Sequence, residues 1–127
     1  MAQEVRSFQD LQVWQLACDF AEAVHRLTCD FPKEDRYGLT DQLRRAAISI
    51  AANIAEGAGR WGPAEFRHHL SISRGSLAET RTLLELSCRF GRITREQLFP
   101  LTTDMDALDK MLFALHRNLG KNRPQNQ

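Results

Sequence analysis

Apolar residues recur along this chain every three or four positions, which is the spacing of one face of an α-helix. Such seams run through residues 11–27, 39–54, 66–84 and 98–119, and the last is the most regular, with leucine or methionine at heptad spacing. No segment alternates apolar and polar residues over several positions, as a half-buried strand would. The pattern therefore predicts an all-α protein.

Boundary signals divide this pattern into four helices. Pro63 suits the first turn of a helix, and Gly91 suits the position just after one. Thr94 and Gln97 form a capping box, and Pro100 is expected to kink the first turns of the last helix or delay its start. The predicted helices cover about residues 8–29, 36–58, 63–90 and 95–119, followed by a polar tail at 120–127. Because short connections favour antiparallel neighbours, we expect one domain, an antiparallel up-down-up-down four-helix bundle.

The composition fits a globular protein and carries no sign of a membrane or secreted protein. Apolar residues make up 43% of the 127 positions, yet no apolar run reaches the roughly 20 residues that span a bilayer. The first ten residues lack the basic start and apolar core of a signal peptide. Cys18, Cys29 and Cys88 lie far apart without a C-x-x-C pair, so we expect neither a disulfide framework nor a zinc site. These features predict a reducing, cytoplasmic location.

The net charge of +1 is unevenly distributed along the chain. Residues 1–35 hold 3 Lys or Arg against 7 Asp or Glu, whereas residues 36–95 hold 10 Arg against 5 acidic residues. The basic residues are 14 Arg and 3 Lys, and the planar guanidinium suits paired contacts with carboxylate or phosphate oxygens. The overall charge indicates no partner, but the central basic region is a candidate contact for an anionic one.

The stretch SIAANIAEGAGRWG at residues 49–62 contains a G-x-G-x-x-G match at Gly57, Gly59 and Gly62. A dinucleotide-binding loop needs a strand before this motif and an acidic residue about 20 positions later. Here the preceding residues continue a helical pattern, and Glu79 falls inside the third helix. The glycines are better interpreted as the end of one helix and the entry to the next, and no cofactor is predicted.

Two E-x-x-H pairs raise the question of a metal site, because diiron bundles use this spacing on facing helices. Glu22 with His25 lies late in the first helix, whereas Glu65 with His68 lies in the first turn of the third. At about 1.5 Å of rise per residue, the two pairs would be offset by roughly 15 Å along the bundle. No metal site is therefore predicted. No serine has an obvious histidine and acidic partner either, so we predict a protein without enzymatic activity.

The feature of the sequence that most favours binding of a partner is a row of arginines. The candidate nucleic-acid-binding residues are four arginines at seven-residue spacing and two on the second helix, namely Arg60, Arg67, Arg74, Arg81, Arg44 and Arg45. After the first of these, the spacing lines one stripe of the third helix. Such a stripe would follow the phosphate backbone of RNA or DNA, and binding would fall steeply with salt. The alternative is that the arginines pair with the interleaved acids Glu56, Glu65, Glu79 and Glu85. The aromatic residues near the row are Trp61 and Phe66.

Small residues indicate close helix packing. Five alanines between positions 46 and 55 leave the second helix thin. Gly75 interrupts the third helix, at a cost of up to about 1 kcal/mol relative to alanine. We therefore expect another helix to cross at Gly75. The second helix also carries a polar ridge that either is exposed or meets a neighbouring subunit. The ridge is formed by Ser49, Asn53, Glu56 and Arg60.

Several segments resemble, together and in order, those of a known bacterial family. They are FQDLQVW at 8–14, FP at 31–32, LTDQLRRAA at 39–47, SIAANIAEGAGR at 49–60, GSLAET at 75–80 and KML at 110–112. Over roughly residues 7–119 the sequence is similar to the four-helix-bundle proteins known as 23S ribosomal RNA intervening-sequence proteins. The same fold resembles the accessory protein of diversity-generating retroelements, which works beside a reverse transcriptase and binds nucleic acid. The chain departs from the family pattern at Ala51, where proline is frequent, and at His69, where an aromatic residue is common.

The resemblance implies a four-helix bundle that assembles into a ring, expected to be a homopentamer, with no established reaction. It marks six motif positions as structural or subunit-contact residues, namely Asn53, Glu56, Gly57, Gly75, Ser76 and Glu79. The predicted function is a non-enzymatic, oligomeric helical bundle with an accessory role in RNA or DNA binding. The alternative is a scaffold that binds a protein partner or only itself, in which case the same arginines would lie in subunit contacts.

Overall fold

The computed structural model describes residues 8–121, and four α-helices make up most of that range. α1 spans Gln12–Thr28, α2 spans Leu39–Ala58, α3 spans Pro63–Arg89 and α4 spans Arg95–Lys121. α1 and α3 each pack against both α2 and α4, so the helices form a ring in chain order. No strand occurs in the described range. The predicted all-α, antiparallel four-helix bundle is therefore confirmed. None of these helices is both long and apolar enough to cross a membrane.

The core is built from the apolar seams that the sequence predicts. Fully buried large side chains come from all four helices, namely Phe20, Val24, Leu43, Ile50, Ile54, Leu70, Leu84, Leu108 and Leu112. Burial of each of these stabilises the fold by about 1.5–3 kcal/mol. Two polar residues of the α3 seam, Ser73 and Thr80, are buried as well, and each hydroxyl donates a hydrogen bond to a backbone carbonyl. The core is therefore continuous even where α3 carries a hydroxyl.

α1 begins later than the predicted residue 8. Phe8–Asp10 forms a short 3-10 turn, and Leu11 then takes an extended conformation before the helix starts at Gln12. This arrangement brings the Phe8 ring edge-on to the ring of Trp14, with 5.1 Å between the centroids. An aromatic contact of this kind stabilises the bent entry. The apolar pattern does not reveal the bend, because an apolar residue at position 8 fits the pattern whether it belongs to the helix or to a turn before it.

α2 also begins later than predicted, at Leu39 instead of residue 36. Lys33–Asp35 forms a second 3-10 turn, and Gly38 leaves the helical conformation just before α2. Asp35 accepts two hydrogen bonds from Arg92, from Nε at 2.6 Å and from Nη2 at 3.3 Å. The bidentate pair ties the α1–α2 connection to the α3–α4 connection at one end of the bundle.

The junction between α3 and α4 follows the local signals in the sequence. Gly91 has φ 77°, a left-handed conformation that favours glycine, and the next N–H, of Arg92, donates to the Ser87 carbonyl at 2.8 Å. The Thr94 N–H donates to Gln97 Oε1 at 2.9 Å, and the Gln97 N–H donates to Thr94 Oγ1 at 3.1 Å. This reciprocal cap fixes the start of α4.

α4 differs from the prediction near both of its ends. Pro100 lies inside the helix and does not delay its start at Arg95, because the reciprocal Thr94–Gln97 cap fixes that start and one proline removes a single backbone hydrogen bond. Gly120 does not end the helix, which continues to Lys121. Instead Gly120 keeps the helical conformation, with the guanidinium of Arg67 packed over it.

Candidate functional site

Two arginines of the predicted row lie in a groove between α3 and α4, here called the α3–α4 groove, and pair with acids of α4. Arg81 Nη2 is 2.8 Å from Asp106 Oδ1, and Arg74 Nε is 3.5 Å from Asp109 Oδ1. Arg74 also lies over the ring of Phe113, 5.7 Å from its centroid. Between 35% and 60% of each side chain in the two ion pairs is exposed. Exposed pairs of this kind contribute little stability, so both guanidinium groups remain accessible to an anionic ligand.

The acids in this groove are ones that the sequence reasoning missed. Asp106 and Asp109 lie one turn apart on α4, a spacing that is visible in the sequence. Which face of α3 they meet depends on the register between the two helices, and the sequence does not give that register. Glu85, a predicted partner of the row, pairs instead with Arg95 and Arg89, and their hydrogen bonds lower its pKa to about 2.

Arg60 lies outside α3, in the connection that follows α2. Its Nη2 is 2.6 Å from Glu56 Oε1, and this hydrogen bond lowers the pKa of Glu56 and raises that of Arg60. Trp61, the next residue, is 96% exposed. Phe66, in contrast, is half-buried and lies against Gly57. Of the two aromatic residues that the sequence places near the row, Trp61 is therefore the one with an accessible ring.

The two arginines of α2 have different surroundings. Arg44 donates from Nε to Thr28 Oγ1 at 2.7 Å and from Nη2 to the His25 carbonyl at 3.2 Å. It thereby caps the C-terminus of α1, where carbonyl groups lack helical partners. Arg45 is exposed and lines a shallow cleft together with Glu79. The guanidinium of Arg45 is accessible from outside, whereas that of Arg44 is bound within the bundle.

Arg67 is the row arginine without an acidic partner among residues 8–121. Its Cζ and Nε lie 3.5 and 3.6 Å from the position that a Cβ would take at Gly120. Nε is buried and has no hydrogen-bond partner within the described chain. His116, one turn earlier on α4, has its pKa lowered by burial and by the charges of Arg67 and Arg74. Among residues 8–121, this end of the groove therefore holds one cation, Arg67, that no carboxylate balances.

The polar ridge of α2 meets α3 through uncharged hydrogen bonds. Asn53 Nδ2 donates to the Ser49 carbonyl and to Ser49 Oγ, both at 3.0 Å. Asn53 Oδ1 is 3.1 Å from His69 Nδ1, so this nitrogen carries the proton. Ser49 Oγ in turn lies 2.8 Å from Ser76 Oγ on α3. The chain Ser76–Ser49–Asn53–His69 is here called the α2–α3 ladder, and His69 is its end on α3.

Gly57 and Gly75 differ in how closely another helix approaches them. A Cβ at Gly57 would lie 2.7 Å from the Cβ of His69 and 3.0 Å from Phe66, so α2 and α3 touch there. A Cβ at Gly75 would meet nothing within 4 Å. The expectation that another helix crosses at Gly75 is wrong within the described chain, because the space beside this glycine is open. Gly75 lines the α3–α4 groove beside Arg74.

The E-x-x-H pairs do not assemble. Glu22 forms an ion pair with Arg26 on its own helix, and the His68 ring packs edge-on against His69. Within residues 8–121 no three His, Cys, Asp or Glu side chains are grouped so that they could hold a metal ion.

Comparison with known proteins adds to this geometry. Residues 9–114 match the family described as 23S rRNA-intervening sequence protein. The chain belongs to this family. A crystal structure of a protein of unknown function from the S23 ribosomal protein family of Bacteroides thetaiotaomicron VPI-5482 is similar to it, with 29% sequence identity and a TM-score of 0.77. The similarity covers 83% of this chain and 95% of that one. A comparison with curated proteins gives no match.

The range matched to the 23S rRNA-intervening sequence protein family contains the α2–α3 ladder and the ion pairs of Arg74 and Arg81. It ends before His116 and Gly120, which contribute the α4 side of the Arg67 environment. The unbalanced end of the groove is therefore formed partly by residues outside the family match.

Proposed function

We propose that this family member is a non-enzymatic, self-associating helical bundle that binds the phosphate backbone of RNA or DNA along the α3–α4 groove. The observation that carries the proposal is the row Arg67, Arg74 and Arg81, which repeats every seven residues on one side of α3. Cys18, Cys29 and Cys88 are unpaired, in keeping with a reducing, cytoplasmic location.

Two further features support a nucleic acid as the ligand. The row holds one more cation than the acids Asp106 and Asp109 balance, so the groove has a net positive charge. Trp61 is exposed at the end of the bundle where α3 begins, close in sequence to the first arginine of the row. Base stacking on an exposed aromatic ring is a common, sequence-tolerant source of affinity for single strands. The family name refers to 23S rRNA, so a single-stranded RNA is the first ligand to test.

Fluorescence anisotropy with a labelled RNA oligonucleotide at two salt concentrations tests the proposal. Wild type should bind, and affinity should fall as salt rises, because neutralising phosphates releases counterions. Arg67→Glu with Arg74→Glu should abolish binding while circular dichroism stays unchanged. The matched control is Arg26→Glu with Arg36→Glu, two exposed arginines outside the groove, which should bind like wild type. Binding that is absent or insensitive to salt would contradict the proposal.

Self-association is supported by the outer surface of α2 and α3. Ile48 is 57% exposed and Ile72 is 39% exposed, and Ile72 lies one turn from both His69 and Ser76. Exposed apolar residues beside a satisfied polar ladder are typical of contacts between subunits. We infer that Asn53, Glu56, Gly75, Ser76 and Glu79 contribute to this surface, and that the buried Gly57 has a structural role beneath it by letting α2 and α3 touch. We also infer that the assembly is a homopentameric ring.

Light scattering after size exclusion measures the assembly directly. The wild-type mass should be five times the 14.5 kDa of one chain. Ile48→Asp with Ile72→Asp should dissociate the ring, whereas Phe99→Asp, at an exposed site on α4, should leave it intact. A monomeric wild type would rule out the ring.

A second function, a scaffold that binds only itself or another protein, is favoured by the same exposed isoleucines. It requires the arginines of the row to lie in subunit contacts. Arg67→Glu with Arg74→Glu would then break the oligomer, and wild type would not bind RNA. The two functions therefore give opposite results for this one variant in light scattering.

A further inference from the structure

The α3–α4 groove changes character along its length. At one end the row faces acids, since Arg81 pairs with Asp106 and Arg74 with Asp109. At the other end Arg67 faces the last turns of α4, where residues 113–120 read FALHRNLG and contain no acidic residue. On this face of α3, Arg74 and Arg81 are therefore paired with acids of α4, whereas Arg67 faces no acid in the last turns of that helix.

The guanidinium of Arg67 is held in place by packing without being neutralised. Its flat face covers Gly120, with Cζ 3.5 Å and Nη2 3.6 Å from the position of an added Cβ. Its Nε is buried and has no partner among residues 8–121, which is rare because an unpaired buried donor is costly. Because the Nε side is buried, the terminal Nη nitrogens are the donors that a ligand can reach, and they suit a bidentate oxyanion contact.

His116 adds a second group to this end of the groove. The charged side chains that act on it are Arg67 and Arg74, both from α3, and on its own helix the neighbouring residue is Arg117. Together with burial, Arg67 and Arg74 lower the pKa of His116. An anion bound between Arg67 and His116 would reverse this effect, because opposite charge favours the protonated ring.

We propose that Arg67 and His116, with Gly120 packed beneath the guanidinium, form a binding site for a single phosphate group. The guanidinium donates from its terminal Nη nitrogens to the phosphate oxygens, and His116 donates once it is protonated. The phosphate is either free inorganic phosphate or one phosphodiester of a nucleic acid. The second source rests on the proposed function, whereas the first does not.

NMR titration of the full-length protein with inorganic phosphate, at constant ionic strength set with chloride, tests the site itself. The His116 ring signal, assigned by comparison with His116→Gln, should shift with phosphate, and its pKa should rise. Arg67→Gln should remove both effects. A His116 pKa that phosphate leaves unchanged would overturn the proposal.

Gly120 offers a variant that closes the site without removing Arg67. A Cβ there makes ordinary contact with the guanidinium, so Gly120→Asp should supply an internal carboxylate to Arg67. Phosphate affinity should then fall about tenfold or more, the equivalent of one charge-assisted hydrogen bond. Gly120→Asn has the same shape without the charge and should bind like wild type. Equal affinities for the two variants would overturn the site, provided that circular dichroism shows both folded.

An RNA oligonucleotide separates the two sources. If the site holds a backbone phosphate, Gly120→Asp should weaken RNA binding and Gly120→Asn should not. If wild type binds phosphate at His116 but no RNA, the site stands as one for free phosphate and the proposed function fails. If RNA binds wild type and Gly120→Asp equally and phosphate does not move His116, the site fails while the proposed function stands.

Discussion

α3 meets α2 on one side and α4 on the other, and the two interfaces are held together by different chemistry. Towards α2, Gly57 lets the helices touch, and the α2–α3 ladder is made of uncharged hydrogen bonds. Towards α4, the polar contacts are half-exposed ion pairs, and Gly75 borders open space. The difference indicates that the α2 side is a close structural interface, whereas the α4 side leaves its charged side chains partly exposed.

The sharpest way to break this comparison is the same substitution on both sides of α3. Gly57→Ala should destabilise the protein by about 1–3 kcal/mol, because the new Cβ overpacks the interface. The new Cβ would lie 2.7 Å from the Cβ of His69, and that atom cannot move unless the backbone moves with it. Urea denaturation followed by circular dichroism measures the change. An unchanged midpoint would mean that α2 and α3 do not touch as closely as described.

Asn53→Ala should have the next largest effect. It removes three hydrogen bonds of the α2–α3 ladder and leaves Ser49 and His69 without them. The free energy of unfolding should fall by about 1–2 kcal/mol, the cost of unpaired, partly buried polar groups. Ser71→Ala, which removes one exposed hydrogen bond on α3, is the control and should change little. Equal effects for the two variants would contradict the central place of Asn53.

Gly75→Ala should have the opposite sign from Gly57→Ala. The added Cβ meets nothing within 4 Å, and alanine in a helix interior is favoured over glycine by up to about 1 kcal/mol. The denaturation midpoint should therefore rise. Light scattering on the same sample checks the proposed subunit surface, since weaker association would identify Gly75 as a contact between copies. A fall in stability without any change in association would contradict the open groove.

The ion pair of Arg81 with Asp106 should show the smallest effect. A double-mutant cycle with Arg81→Ala and Asp106→Ala should give a coupling energy below about 1 kcal/mol, because 35% and 60% of the two side chains are exposed. The coupling should shrink further at high salt. A coupling of several kcal/mol would mean that the groove is a rigid structural interface like the α2 side.

Much of the fold could be predicted because it depends on local rules. The seams of α1 to α4 have helical period, and the core side chains from Phe20 to Leu112 lie on them. Gly91 and the Thr94–Gln97 cap act through neighbours within a few residues. The late starts of α1 and α2 were missed because they depend on the contacts of Phe8 with Trp14 and of Asp35 with Arg92.

The candidate site could be predicted only in part. Seven-residue spacing placed Arg67, Arg74 and Arg81 on one stripe of α3, and the structure has them facing α4. The pattern could not distinguish Arg44 from Arg45, although one caps α1 and the other is exposed. That distinction depends on which neighbouring helix lies close to each guanidinium. The spacing of residues along one helix does not report the position of another helix.

The sequence by itself determined the helix count, the core faces and the family resemblance, because each follows from residue type and spacing along the chain. The tertiary structure alone decided which charges meet. The register between α3 and α4 sets Asp106 and Asp109 against two arginines and Gly120 against the third. That register arises from packing of the whole core, so no local pattern reports it. Among residues 8–121 it leaves Arg67 as the arginine of the groove without an acidic partner.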